Sequence, residues 1–254
     1  MKTSASTTRN LFRKMSKAVL LLRRSAVIIQ QFFALRSAPN QRFRLVWKDR
    51  WLLLRDATST TAFDRHYVFH TAWASRILAE HRPRVHIDIS SSLFFVVNAS
   101  AFVPIKFYDY RPVNLGLSNL TSEPADLHRL PFATQSAESV SCLHVLEHVG
   151  LGRYGEPLDY DGDLKAVAEL KRVIAKGGLL IIAVPIGGVA RIQFNAHRIY
   201  TYRQVLEMFS GLSLLEFSLI PNEEINGGLI RNASEEAANK ESYGCGCFLF
   251  QVQQ

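Results

Sequence analysis

Two short stretches hold side chains whose types and spacing suit proton transfer. The first is His144-Val-Leu-Glu147-His148. As H-x-x-E-H it matches a zinc-binding pattern, but that pattern needs a helix to align both imidazoles. The apolar run before it, from Ser139 to Leu146, reads as a strand entering a loop, so zinc is set aside and no metal site is assigned. On a loop, Glu147 and His148 can orient a substrate hydroxyl or remove its proton as a general base, or simply satisfy loop backbone groups. The second stretch is Phe194-Asn195-Ala-His197-Arg198-Ile-Tyr200, which supplies a further imidazole. Asp88 is followed closely by Ser90, Ser91 and Ser92, whose hydroxyls can both donate and accept hydrogen bonds. Asp159, Asp161 and Asp163 alternate as in a calcium loop, but Leu164 stands where that loop requires glycine. Asp161 or Asp163 is instead expected to open a helix, with Arg153 and Tyr154 at the mouth of the site. Cys245 and Cys247 alternate in a strand and are expected to point to opposite faces, which leaves that pair unsuited to a metal.

These residues need a frame. Short β-branched and apolar runs predict strands at 85–89, 105–108, near 126, 139–146, 178–184, 212–220 and 246–252. Helical patterns fill 92–101 and 161–174. Asp64 is placed to cap a helix that Pro83 ends, and Thr201 to cap another. Strands alternating with helices imply a parallel sheet covered on both faces. In such sheets ligands bind at the carboxyl ends of the strands, near the point where strand order reverses. Asp88, Asp109, Asp126 and His144 all fall at such ends.

The order of small residue and Asp126, then LPFATQSAESV, an apolar strand, Leu-Glu-His, a helix, Ala175-Lys-Gly-Gly178 and a second apolar strand resembles the second half of a class I S-adenosylmethionine (SAM) dependent methyltransferase. More narrowly, FDRHYVFHTAWA, HIDISSS, FYDYRP, HVLEHVGLGRYG, FNAHRIY, GLIRNAS and YGCGCF resemble one methyltransferase-like family known only as a domain of unknown function. The resemblance covers roughly residues 62–254. It implies an α/β, Rossmann-like fold with a mostly parallel seven-stranded sheet and an antiparallel last strand. It also implies SAM as cofactor, held by Asp88, Ser90, Ser91 and Ser92 in the place of the family's glycine-rich loop. Asp109 would take the ribose hydroxyls, Asp126 and Leu127 the adenine, and His144 would complete that side. Glu147, His148 and His197 are the implied catalytic residues, and Arg153, Tyr154, Asn195 and Arg198 the implied acceptor contacts. One departure stands out: the serine loop has no glycine, and serine tolerates a positive φ poorly, so the usual loop geometry is not expected.

Methyl transfer to a small-molecule or glycan acceptor is therefore the leading expectation. The alternative is a catalytically degenerate fold kept as a membrane-associated scaffold or regulatory module. A nucleotide-linked oxidoreductase is disfavoured, because no G-x-G-x-x-G cradles a pyrophosphate.

Charge is distributed unevenly. Residues 1–56 hold 13 Lys and Arg against Asp49 and Asp56, a balance of +11, while the remainder holds 17 against 20, a balance of −3. The basic character thus belongs to an N-terminal extension (residues 1–60, against a domain at 61–254), and no nucleic-acid partner is expected. From Arg9 to Phe33 apolar residues recur at helical spacing opposite Arg13, Lys17 and Arg24. Such a helix, over residues 9–35, can lie on an anionic membrane surface or pack on its own domain. Residues 43–55 suggest a short hairpin. The three cysteines are an odd count and favour no disulfide framework, hence a reducing, cytoplasmic setting, with peripheral association at the inner face of the membrane as the expectation if the helix binds lipid.

Overall fold

The strands Ile87–Ile89 and Val140–Leu143 are buried on both faces, as expected of a sheet covered by helices on either side. The computed structural model describes residues 22–39, 42–54, 56–224 and 227–253. They divide into two units, Met1–Ala62 and Phe63–Gln254.

In the first unit, residues 22–36 form helix α1. Arg24 ties it to the following segment by donating to the carbonyls of Leu54 and Ala57 at 2.7 and 3.0 Å, and Phe32 packs edge-on against Trp47. The helical expectation for residues 9–21 lies outside the described residues. The expected hairpin at 43–55 is not formed. Trp47–Asp49 is a single 3-10 turn, and the stretch has no glycine or asparagine to reverse a two-residue hairpin. No helix among the described residues is long and apolar enough to cross a membrane.

The second unit is built on a seven-stranded sheet. In chain order it comprises α2 (Arg65–His81), β1 (His86–Ile89), α3 (Leu93–Ala99), β2 (Ile105–Asp109), β3 (Leu120–Pro124), β4 (Ala137–Leu143), α4 (Gly162–Val173) and β5 (Ile174–Ile186). There follow β6 (Arg191–Gln193), β7 (His197–Ile199), α5 (Tyr202–Met208), β8 (Leu212–Ile220), α6 (Glu235–Lys240) and β9 (Gly244–Val252). The sheet runs β3-β2-β1-β4-β5-β9-β8, with β9 antiparallel to both neighbours and the other pairings parallel. The predicted α/β class and the antiparallel last strand are met.

Local signals explain the boundaries. Asp64 accepts from the Tyr67 N–H at 3.1 Å and starts α2. Thr201 and Gln204 form a capping box on α5. Gly178 admits the close approach of β5 to β4, since a Cβ there would lie 2.8–3.1 Å from three backbone carbonyl oxygens. Three differences from expectation concern the site. Strand β4 stops at Leu143, because Leu146–His148 wind into a 3-10 turn. Strand β3 ends at Pro124, ahead of Asp126. A small hairpin, β6–β7, carries the 194–200 stretch. Short α6 also separates β8 from β9, where no helix is expected. Cys245 and Cys247 share a face, with sulfurs 3.9 Å apart, as the two-residue strand period demands.

Candidate active site

The strand order reverses between β1 and β4, and the carboxyl ends there carry Ser90 and His144. Both residues take the left-handed conformation, with φ of 56° and 58°. The serine loop therefore turns through a positive φ without a glycine. Ser90 adopts the positive φ itself, and its N–H donates to the Tyr108 carbonyl at 2.8 Å, locking the turn onto β2.

The turn is held from beneath by a buried polar network. Asp88 accepts from the Ser91 N–H at 3.0 Å and from the Ser141 hydroxyl. Ser141 and Ser139 each lie 2.8 Å from a ring nitrogen of His86, and the Ser91 hydroxyl accepts from the Leu143 N–H at 3.0 Å. Asp88 and Ser91 thus shape the loop, Ser92 caps α3, and none of the three lines a described cavity. Burial pushes the Asp88 carboxyl up to about 6 from 3.8, and burial drives His86 down to about 3. The Asp88 contribution is fully present below about pH 4 and is lost as pH rises through about 6, which amounts to about 3 kcal/mol. Asp88→Asn keeps an oxygen for Ser91 and can donate to Ser141, whose hydroxyl then turns to His86. Urea unfolding of the variant is expected to gain on the parent between pH 4 and pH 7 by about 3 kcal/mol; a difference independent of pH would contradict this.

Ser90, Asp109, Asp126, Leu127 and His144 line one cavity of about 370 Å³, joined by Tyr110, Arg111, His128, His148, Tyr154 and Glu156. Asp109 ends β2, and its Oδ1 is pinned by the Arg111 N–H at 2.7 Å. Asp126 accepts from the His128 N–H at 2.8 Å, which shapes the turn before buried Leu127. Gly150 packs against the backbone of Asp159, a lining residue: its φ is 79°, and a Cβ would sit 2.1 Å from the Asp159 carbonyl oxygen. Tyr154 lines this cavity, with the guanidinium groups of Arg111 and Arg153 over its ring at 4.6 and 5.2 Å.

A second cavity, about 390 Å³, shares His144 and His148 with the first and adds Asp64, Arg65, His66, Tyr67, Glu147, Arg153, His197, Asn222 and Tyr243. Its wall is strongly polar. The His144 Nδ1 lies 2.7 Å from Glu147 Oε1. Burial works against the charged ring, but Cys245 and Glu147 outweigh it and raise the His144 pKa. Glu147 is fully buried, and among the described residues neither its Oε2 nor Nε2 of His197 has a hydrogen-bond partner. His148 donates from Nδ1 to the Ala196 carbonyl at 2.6 Å, which leaves Nε2 as the acceptor. Burial lowers the His148 pKa against the pull of Glu147, so the ring is a neutral base. Tyr243 stacks on His197.

The structure therefore gathers Glu147, His148, His197 and Arg153 around one cavity. It does not bring Asn195 or Arg198 there. Asn195 is exposed in the β6–β7 turn. Arg198 is buried, donates to the carbonyls of Val149 and Tyr160 at 2.7 and 2.8 Å, and pairs with Asp163. Its guanidinium pins the loop behind the site and is not free for an acceptor. Arg198→Ala is expected to cost about 3 kcal/mol in urea unfolding, since it breaks charged bonds and strands buried carbonyls; an unchanged stability would contradict the assignment. His66, Tyr67 and Tyr243 were missed by sequence reasoning. The signal for the first two was the polar, aromatic start of α2, which reads equally well as an ordinary buried helix face.

With the geometry in place, the fold defines the class: it is the class I methyltransferase fold, an open sheet whose switch point carries a nucleoside-sized cavity. A family model described as Caenorhabditis protein of unknown function, DUF268, matches residues 128–241. Among solved structures, the chain is similar to a Burkholderia thailandensis 1,6-didemethyltoxoflavin-N1-methyltransferase with bound 1,6-didemethyltoxoflavin and S-adenosylhomocysteine. Identity is 13%, the TM-score 0.53, and the match covers 94% of this chain and 90% of the other. It is also similar to the N-methyltransferase NodS from Bradyrhizobium japonicum WM9 in complex with S-adenosylhomocysteine, at 14% identity and a TM-score of 0.50, covering 73% and 86%. No curated protein matches the sequence.

Proposed function

We propose that the protein is a SAM-dependent methyltransferase acting on a small polar acceptor, such as a hydroxylated or glycan-like molecule. The observation that carries the proposal is the pair of adjoining cavities that share His144 and His148. The first has the chemistry for a nucleoside: a turn at Ser90 in place of the glycine loop, the Asp109 carboxylate for the ribose hydroxyls, and Asp126 with Leu127 for the base. The bound S-adenosylhomocysteine of the two similar structures supports this reading. The cofactor would supply an activated methyl group on a sulfonium.

The chain's own work is then positioning and proton removal. Holding two reactants in attack geometry is worth several kcal/mol without covalent help. In the second cavity, Glu147 Oε2 and His197 Nε2 are buried polar atoms without partners among the described residues, and such groups call for a bonding group from elsewhere. An acceptor hydroxyl or amine satisfies both. His148, with Nδ1 committed to Ala196, presents Nε2 as general base beside the first cavity. Arg153 offers a charge for an anionic group on the acceptor.

Incubation of the full chain with SAM labelled in the methyl group, against fractions of hydroxylated and amino small molecules, tests the proposal. Transfer of label that depends on one fraction is expected. A folded protein that binds SAM but transfers label to none would contradict it. The N-terminal extension is proposed to meet an anionic membrane surface, on the strength of the +11 balance over residues 1–56 and the helix at 22–36. Equal pelleting on anionic liposomes with and without residues 1–56 would remove that partner.

A further inference from the structure

Beneath the second cavity, His144, which lines both cavities, meets two side chains that line neither. His70 comes from α2, His144 from the end of β4, and Cys245 from the start of β9. One ligand atom from each lies within 4.8 Å of the others. His144 Nε2 is 3.3 Å from Cys245 Sγ, while its Nδ1 is held by the buried Glu147 carboxylate at 2.7 Å. That arrangement, an imidazole oriented by a carboxylate with its far nitrogen turned to the thiol, is the usual support of a metal-bound histidine. His70 is fully buried, and neither of its ring nitrogens has a hydrogen-bond partner among the described residues. An imidazole buried with both nitrogens unbonded forfeits its hydration for nothing.

We propose that His70, His144 and Cys245 bind a divalent zinc-class ion. One thiolate and two imidazoles form a soft, nitrogen-rich set that selects Zn²⁺ over Ca²⁺ or Mg²⁺, which take oxygen ligands. A tetrahedral zinc with bonds of about 2.0–2.3 Å holds its ligand atoms about 3.3–3.7 Å apart. The His144–Cys245 separation already meets that, and a small inward shift of the His70 ring completes the set. Three protein ligands leave a fourth position open for water or another donor, unlike closed structural sites. The ion would tie α2 to the end of β4 and to β9, the elements that wall the second cavity. Only His144 of the H-x-x-E-H stretch takes part, because His148 is turned to the Ala196 carbonyl. The inference does not depend on methyl transfer and stands if SAM fails to bind.

The test uses the purified full chain, freed of metal by dialysis against a chelator and titrated with Co²⁺ and then Zn²⁺. One equivalent of Co²⁺ is expected to bind, with a thiolate-to-cobalt charge-transfer band in the near ultraviolet and visible bands of a tetrahedral ion, all abolished by Zn²⁺. Cys245→Ser is expected to lose the charge-transfer band, Cys247→Ser to keep it, and His70→Gln to weaken Co²⁺ binding by at least about tenfold. Circular dichroism reports whether each variant is folded. Failure of the folded parent chain to bind Co²⁺ overturns the proposal, without recourse to any variant. So does a charge-transfer band that survives Cys245→Ser or disappears in folded Cys247→Ser.

Discussion

Asp109→Ala is expected to weaken binding of S-adenosylhomocysteine by about 10²–10⁴-fold. The carboxylate sits at the carboxyl end of β2, on the wall of the first cavity, where it would accept from both ribose hydroxyls. A hydrogen bond to a charged group contributes about 1.5–3 kcal/mol, so losing two spans that range. The Arg111 N–H already fixes Oδ1 at 2.7 Å, so the acceptor is preorganised and little ordering cost is recovered when it is removed. The side chain is only partly buried, and its loss is expected to leave stability nearly unchanged, which separates a binding effect from unfolding. Asp109→Asn keeps one acceptor and should fall between. Calorimetric titration of the three proteins checks the order. Equal affinity in Asp109→Ala would place the nucleoside elsewhere.

His148→Gln is expected to lower the turnover of labelled methyl by about 10²–10⁴-fold, the usual contribution of a positioned general base. Glutamine can still donate to the Ala196 carbonyl, so the 3-10 turn at 146–148 is retained while the basic nitrogen is lost. Affinity for S-adenosylhomocysteine should change only a few-fold. The measurement is kcat and KM with an acceptor found by the label-transfer screen. A loss confined to KM would make His148 a binding group, and an unchanged kcat would shift the base to His197 or Glu147.

The fold was legible because its signals are local. The strands and helices of residues 64–208 follow from apolar runs and from caps such as Asp64 and Thr201, and the Asp126 to Pro185 stretch carried the resemblance. The first cavity was legible for the same reason, since residues at strand ends are sequence neighbours of the strands themselves. What escaped was set by long-range packing. Ser90 and His144 take positive φ values that side-chain type disfavours, and only the hydrogen bonds of the surrounding loop make those turns worth their strain. Arg198 looked like an acceptor contact because it is charged and follows His197. The alternation of the β7 strand turns neighbouring side chains to opposite sides, and Arg198 faces the backbone of Val149 and Tyr160. His66 and His70 lie far in sequence from His144 and Cys245, and no spacing rule joins them.

The most direct test of the whole account is calorimetric titration of the folded 254-residue protein with S-adenosylhomocysteine, SAM and NAD. Saturable one-to-one binding of the first two, none of the third, and loss of that binding in Asp109→Ala are the predicted results. At a hundredfold excess over the dissociation constant, binding should also stabilise the fold by about 2.7 kcal/mol, visible as a raised Tm. No heat and no shift in Tm with either sulfur nucleoside, on protein shown to be folded, would contradict the assignment of the first cavity and with it the proposed activity.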